Sequence, residues 1–180
     1  MKSSIVEAAR EIVMDQGWDK VSIRNIAAKI NYSPPLLYSY FKNKDDILGE
    51  LQKEGFKKLK KRYSAIAKKE KPKKAIKAIS HEYVDFALHN PELFGLMFNL
   101  NGVTCSSEKG MSEMYDSRDV VETILRKISK NESGQELYIN WWSLVHGFIA
   151  IHTANYIHLS KKNRSEYLNN MLDRFVSAID

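Results

Sequence analysis

Val21-Ser22-Ile23-Arg24-Asn25-Ile26-Ala27, followed by Tyr32-Ser33-Pro34-Pro35-Leu36-Leu37-Tyr38-Ser39-Tyr40-Phe41-Lys42-Asn43-Lys44-Asp45, decides how this 180-residue chain is read. Ile23, Ile26, Ala27 and Ile30 form one helical stripe behind Ser22, a favoured N-cap residue, and Asn31 suits the left-handed conformation that stops such a helix. A second helix is expected at once: Ser33 caps it, Pro34 fits the N1 position where its missing N–H costs nothing, and Leu37 and Phe41 share its inner face. The chain therefore reads here as two short helices on either side of a tight turn.

Outward from this pair the pattern stays helical. Upstream, Ile5, Ala8, Ala9, Ile12 and Val13 keep the i, i+3, i+4 rule behind the capping-box spacing of Ser4 and Glu7, and the helix stops at Gly17. Downstream, Leu48, Leu51, Leu59, Tyr63 and Ile66 predict a long helix with a lysine-crowded outer face, running toward Pro72. Pro72 opens a helix carrying Ile76, Ile79, Tyr83, Phe86 and Ala87, which Asn90-Pro91 ends. Gly102 to Gly110 reads as a long loop. Beyond it come the stripe Met114, Val121, Ile124, Leu125 and Ile128, a helix from about Gln135 to Leu159, and a last stripe of Leu168, Met171, Leu172, Phe175 and Ile179. No period-two run long enough for a sheet interrupts them, so the fold class expected is all-α.

Composition narrows the function. With 43% hydrophobic residues the chain is rich enough in apolar side chains for a sizeable core. The single Cys105 excludes an intramolecular disulfide or a cysteine-based zinc site, and the N-terminus lacks an apolar signal stretch, so a reducing, cytoplasmic setting is expected. Trp141 to Ile151, the most apolar stretch, falls short of the ~20 residues of a membrane span. The net charge of +6 hides an asymmetry: residues 1–80 hold 19 Lys and Arg against 9 Asp and Glu, residues 81–180 hold 9 against 13. A basic amino-terminal part suits a polyanion, and the acidic remainder excludes a protein that coats one all over.

Two short helices on a brace are the geometry by which a helix is held in the DNA major groove. The residues quoted above also resemble the amino-terminal signature of the tetracycline-repressor (TetR) family of transcriptional regulators, over residues 4 to 48. The resemblance implies an N-terminal three-helix head with a helix-turn-helix (1–46) and a C-terminal helical ligand-binding and dimerisation body (47–180). It implies a homodimer on a palindromic double-stranded operator, released by a small-molecule effector. Position by position, Ser22, Tyr38 and Lys44 resemble the family's phosphate-contacting residues, which set register rather than sequence choice. Ser33, Arg24, Pro35, Leu36, Ser39 and Tyr40 occupy places near base edges or the flanking backbone. Arg24 is the best candidate for a specific contact, because its fork matches guanine O6 and N7. Pro35 stands where Gly or Ala is frequent and Leu36 where Thr is frequent, which removes a hydroxyl and favours contact with a thymine methyl.

In the body, Trp141-Trp142-Ser143-Leu144-Val145-His146-Gly147-Phe148, with Asn90-Pro91-Glu92-Leu93-Phe94 upstream, resembles family bodies marked by a Trp, His-Gly signature. That helix is apolar nearly all round and must be buried twice, once in its own subunit and once against a symmetry mate. Phe148 and His152, with Leu168, Met171, Leu172 and Phe175, are the expected dimer contacts. Gly147 within a helix suggests close approach by another helix or a ligand. Tyr83, Phe86, Phe94, Met97, Phe98, Trp142, His146 and Tyr156 are the candidate lining of an effector cavity, although periodicity does not separate a cavity from a filled core.

Catalytic and metal readings find little support. His81, Asp85 and His89 align at i, i+4, i+8, but no second cluster completes a site. His146, His152 and His158 recur every six residues, and neighbours point to different faces. No catalytic residue, metal or cofactor is expected. The alternatives are a constitutive repressor with a filled core and, from another class, a helical carrier or enzyme whose basic helix merely solvates it.

Overall fold

The structure, a computed structural model, describes residues 1–100, 105, 108–129, 131–154 and 159–179, and all regular elements among them are helical. Among the described residues nine α-helices follow in order: α1 (Lys2–Gln16), α2 (Ile23–Lys29), α3 (Pro34–Tyr38), α4 (Lys44–Lys69), α5 (Pro72–His89), α6 (Pro91–Met97), α7 (Met111–Ile128), α8 (Gly134–Thr153) and α9 (Lys161–Ala178). Short 3-10 turns lie at Trp18–Lys20 and Glu108–Gly110. No described helix is long and apolar enough to cross a membrane.

Packing divides the chain into two compact units, Met1–Lys57 with Pro91–Met114, and Lys58–Asn90 with Tyr115–Asp180. The division falls later than residue 46, and it gathers α6 and the start of α7 into the first unit. In that unit Ile5, Ala9 and Ile12 of α1, Ile26 of α2 and Leu37 of α3 meet Phe41, Ile47, Leu48 and Leu51, and Leu96 of α6 closes the same core. In the second unit α5 packs against α8 and α9, burying Ile76, Ile79, Tyr83, Trp141, Val145, Leu168 and Leu172.

Several boundaries differ from the sequence reading, each for a backbone reason. α1 starts at Lys2, where the Ile5 N–H already bonds the Met1 carbonyl at 3.1 Å, so Ser4 lies inside the helix and the Ser4–Glu7 capping box has no terminus to cap. Ser33 holds the N-cap position of α3, but its hydroxyl makes no capping bond. Pro34 and Pro35 have no N–H to give, and the Leu36 N–H bonds the Ser33 carbonyl at 3.0 Å, so no donor is left for the hydroxyl. α8 runs to Thr153, whose hydroxyl turns back onto the Ile149 carbonyl at 2.9 Å, and residues 155–158, on the way to the expected end at Leu159, lie outside the described residues.

Candidate nucleic-acid interface and effector site

The helix pair forms where the caps direct it. The Ser22 hydroxyl accepts the Asn25 N–H at 3.1 Å, and the Asn25 side chain donates to the Lys20 carbonyl at 2.7 Å, tying α2 to the turn before it. Asn31 ends α2 at φ 56°, the left-handed region expected of it. α3 is a helix of only five residues, anchored by Leu37, which is fully buried, and by Phe41 just beyond it. Those two anchors leave Ser33, Pro35, Tyr38 and Ser39 exposed, with Leu36 and Tyr40 half-buried. Tyr38 is 56% exposed, a large aromatic kept in water by its own helix. Ser39 spends its hydroxyl proton on the Leu36 carbonyl at 2.6 Å.

Charge sharpens the picture. Lys29 is tied to Glu11 at 2.9 Å and Asp15 at 3.8 Å, and the bond to Glu11, followed by the two carboxylate charges, raises its pKa. Arg24 is exposed and makes no ion pair among the described residues. Lys44 reaches the Trp18 carbonyl at 3.5 Å from the first turn of α4. That turn is capped by Asn43, whose side-chain oxygen accepts the Asp46 N–H at 2.9 Å, while Asp46 accepts the Lys42 N–H at 2.9 Å. The Lys42 amide and then the Lys109 ammonium hold the Asp46 carboxyl below the usual range. Asn43 and Asp46 were missed in the sequence, although an Asn three residues before an Asp at a helix start is the signal that finds them.

The lysines of α4 are less solvated than their spacing suggests. Lys53 and Lys57 approach Glu113, Lys60 pairs with Asp116 at 2.6 Å, and Arg62 pairs with Glu82. The run is thus partly neutralised within each unit.

The expected effector lining is shared out between the two units. In the second unit Trp142 Nε1 donates to the Tyr83 hydroxyl at 3.0 Å, and that hydroxyl lies 2.9 Å from His146 Nδ1. Phe86 is buried there with the Arg62 guanidinium over its ring. In the first unit Phe94 and Phe98 stack with centroids 4.8 Å apart, Phe56 meets Phe98 edge-on, and Met97 presses on Gly55, where a Cβ would overlap its sulfur. Tyr83, Phe86, Phe94 and Met97 are buried, while Trp142, His146 and Phe98 are half-buried. Tyr156 and His158 lie outside the described residues. A cavity of about 390 Å³ opens elsewhere in the second unit, floored by Ala67, Ala75, Val120 and Ile124 between the end of α4, the start of α5 and α7. None of the seven expected lining residues that the structure describes borders it.

Of the expected dimer contacts, Leu168 and Leu172 are 1% and 0% exposed within the single chain, so they belong to its own core. Their stripe faces α5, leaving nothing of them for a second subunit. Phe148, His152, Met171 and Phe175 are half-buried, and α8 exposes Ile139 and Ile151 about half. Among the described residues a Cβ added at Gly147 meets nothing within 4 Å, so their contacts do not explain this glycine. The three residues aligned in the sequence each face a separate partner: His81 bonds Asn169 at 2.8 Å, His89 turns back to the Asp85 carbonyl at 2.7 Å, and Asp85 faces Arg164 at 3.8 Å.

Comparison with known proteins places this geometry. Residues 5–51 match the family described as bacterial regulatory proteins, tetR family, and residues 76–175 match the tetracyclin repressor-like C-terminal domain. YobS of Bacillus subtilis (strain 168), an HTH-type transcriptional regulator that is itself uncharacterized, is 36% identical over 87 residues, 48% of this chain and 46% of its own length. The match thus spans about half of that relative. A protein of unknown function from Rhodococcus sp. RHA1 superposes with a TM-score of 0.85 at 17% identity, covering 99% of this chain and 94% of that one. FadR of Bacillus subtilis, a transcriptional regulator solved in complex with stearoyl-CoA, superposes at 0.77 and 17% identity over the whole of both chains. At such identities the likeness is one of fold.

Proposed function

The chain belongs to the tetR family of bacterial regulatory proteins, and from that premise we propose that it is a ligand-responsive repressor, a cytoplasmic homodimer that grips a palindromic operator and lets go when a small, largely apolar effector binds. It is a transcriptional regulator rather than an enzyme. In this reading residues 1–46 bind DNA and residues 47–180 take the effector and dimerise. The observation that carries the DNA contact is the exposed rim of α2 and α3: Arg24, Ser33, Pro35, Tyr38 and Ser39 stand in water around the buried Leu37 anchor. Arg24 reads a base edge; Ser22, Tyr38 and Lys44 hold phosphates; Leu36 and Tyr40 complete the contact.

Phe148, His152, Met171 and Phe175, joined by Ile139 and Ile151, supply the dimer face, and the space beside Gly147 accommodates the partner's helix. For the effector, the apolar-floored cavity is within the size range of small-molecule sites, and FadR, whose fold the chain shares, was solved with stearoyl-CoA. Its acyl chain is the part that matches a small, largely apolar site, so a long-chain acyl-CoA is the first ligand to try, with the free fatty acid beside it. One observation favours a second reading, constitutive repression: Tyr83, Trp142 and His146 already bond one another, so a ligand there must displace protein contacts.

The experiment is a paired titration. Acyl-CoA affinity is measured with and without a duplex selected on the protein from a randomised library, and duplex affinity with and without acyl-CoA. Coupling is reciprocal, so a 100-fold loss of duplex affinity, about 2.7 kcal/mol, must appear as a 100-fold loss of ligand affinity. Binding of the ligand with equal affinity in both arms rejects the switch and leaves the constitutive regulator.

A further inference from the structure

The segment from Cys105 to Met114 belongs by packing to the first unit, and a chain of polar contacts attaches it to the start of α4. Lys109, on the 3-10 turn Glu108–Gly110, is its centre. Its ammonium lies 3.3 Å from an Asp46 carboxylate oxygen, 3.6 Å from the Glu50 carboxylate and 3.3 Å from the Asp46 carbonyl, and sits 5.4 Å from the centroid of the Phe41 ring. Asp46 in turn accepts the Lys42 amide and is fixed by the Asn43 cap. One side chain from the α6–α7 connection thus touches Phe41 just beyond α3, the first turn of α4 and, through Asp46, the turn between them. Around it Gly110 packs on Gln52, Gln52 donates to the Leu96 carbonyl at 2.7 Å from a buried position, and Glu113 reaches Lys53 and Lys57.

We infer that Lys109 is a positioning residue for DNA binding: from outside residues 1–46 it holds the Lys42–Lys44 turn between α3 and α4 by binding Asp46, Glu50 and the Phe41 ring. The inference rests on the proposed use of α2 and α3 as the DNA contact. Its physical basis is cooperative. A lone exposed ion pair contributes little, but two carboxylates and an aromatic face around one half-buried ammonium fix it in place and fix the turn to it. The phosphate contact proposed for Lys44 then depends on a residue more than sixty positions later in the chain.

The test uses the full-length chain with K109M, which keeps most of the aliphatic stem, K109R, which keeps the charge, and E50Q. Hydrogen exchange without DNA comes first: K109M should speed exchange of amides in residues 42–50 while α1 and the α5–α8 packing stay protected, and K109R should restore most of the protection. Affinity for the duplex selected on wild-type protein should fall about tenfold in K109M, a 1.4 kcal/mol change, and less in K109R. E50Q separates positioning from attraction. Removing a negative charge favours DNA binding if Lys109 acts by charge or touches DNA itself, whereas losing a clasp partner weakens it. Unchanged exchange in K109M overturns the clasp whatever DNA does. Altered exchange with wild-type affinity, or E50Q binding more tightly than wild type, overturns the positioning role. A wild-type protein that selects no duplex refutes the DNA reading itself, and the role with it.

Discussion

The Tyr83 hydroxyl lies 2.9 Å from His146 Nδ1 while accepting the Trp142 indole N–H at 3.0 Å, so the three side chains form one hydrogen-bonded chain. With the imidazole hydrogen on Nε2 the ring accepts the tyrosine proton at Nδ1, and with it on Nδ1 the ring donates to the tyrosine oxygen, so a neutral His146 serves the contact either way. Burial lowers the His146 pKa below its ordinary 6.5. The unfolded chain therefore takes up a proton at higher pH than the folded one.

The stabilisation from neutral His146 is fully present above pH 6.5 and is lost as pH falls through the depressed folded value. Thermal unfolding followed from pH 8 to pH 5 should show this loss, and His146→Asn, which keeps a polar group beside Tyr83, should flatten the histidine-dependent part of it. An unchanged profile in the variant would assign the acid sensitivity elsewhere.

Ser22 and Ser33 occupy matching positions before their helices but should respond oppositely to removal. Ser22→Ala deletes a bond to the Asn25 amide and should cost about 1 kcal/mol in urea unfolding. Ser33→Ala removes a hydroxyl that caps nothing, so its stability should stay within about 0.5 kcal/mol of wild type while duplex affinity falls.

Lys44→Ala and Tyr38→Phe should weaken binding to all duplexes alike, whereas Arg24→Ala should relax preference at one base position, at about 1–3 kcal/mol. Binding-site selection on the three variants checks this. An unaltered preferred sequence in Arg24→Ala would move Arg24 to the phosphate-contacting group.

Phe175→Glu and Leu172→Ala test surface against core on one helix. Phe175 is half-buried, and a charge there should split the proposed dimer, seen by sedimentation, and abolish operator binding because the two heads must span one helical turn of DNA. Leu172 is fully buried in the chain; its truncation should cost about 2–5 kcal/mol of stability and leave association of the folded fraction unchanged.

Local rules were sufficient for the head, because its helices are set by residues within a few positions of one another. Ser22 caps α2 by bonding an amide three residues on, Asn31 takes the left-handed turn, and Leu37 and Phe41 recur at helical spacing, so the pattern, the motif and the exposed rim were all legible. Even Ser33 fails as a cap for a local reason, the two prolines behind it. What one helix face meets is decided at long range. Periodicity marks Leu168, Leu172 and Phe175 alike as apolar, but only packing against α5 spends the two leucines inside the chain and leaves the phenylalanine half-exposed. The aromatic residues expected around one cavity were divided between two units because hydrophobicity has no direction, and the lysines of α4 gained carboxylate partners up to 60 residues away that no helical repeat encodes. Lys109 is the sharpest case: the sequence shows a lysine in a loop, and the fold alone brings it against Phe41, Asp46 and Glu50.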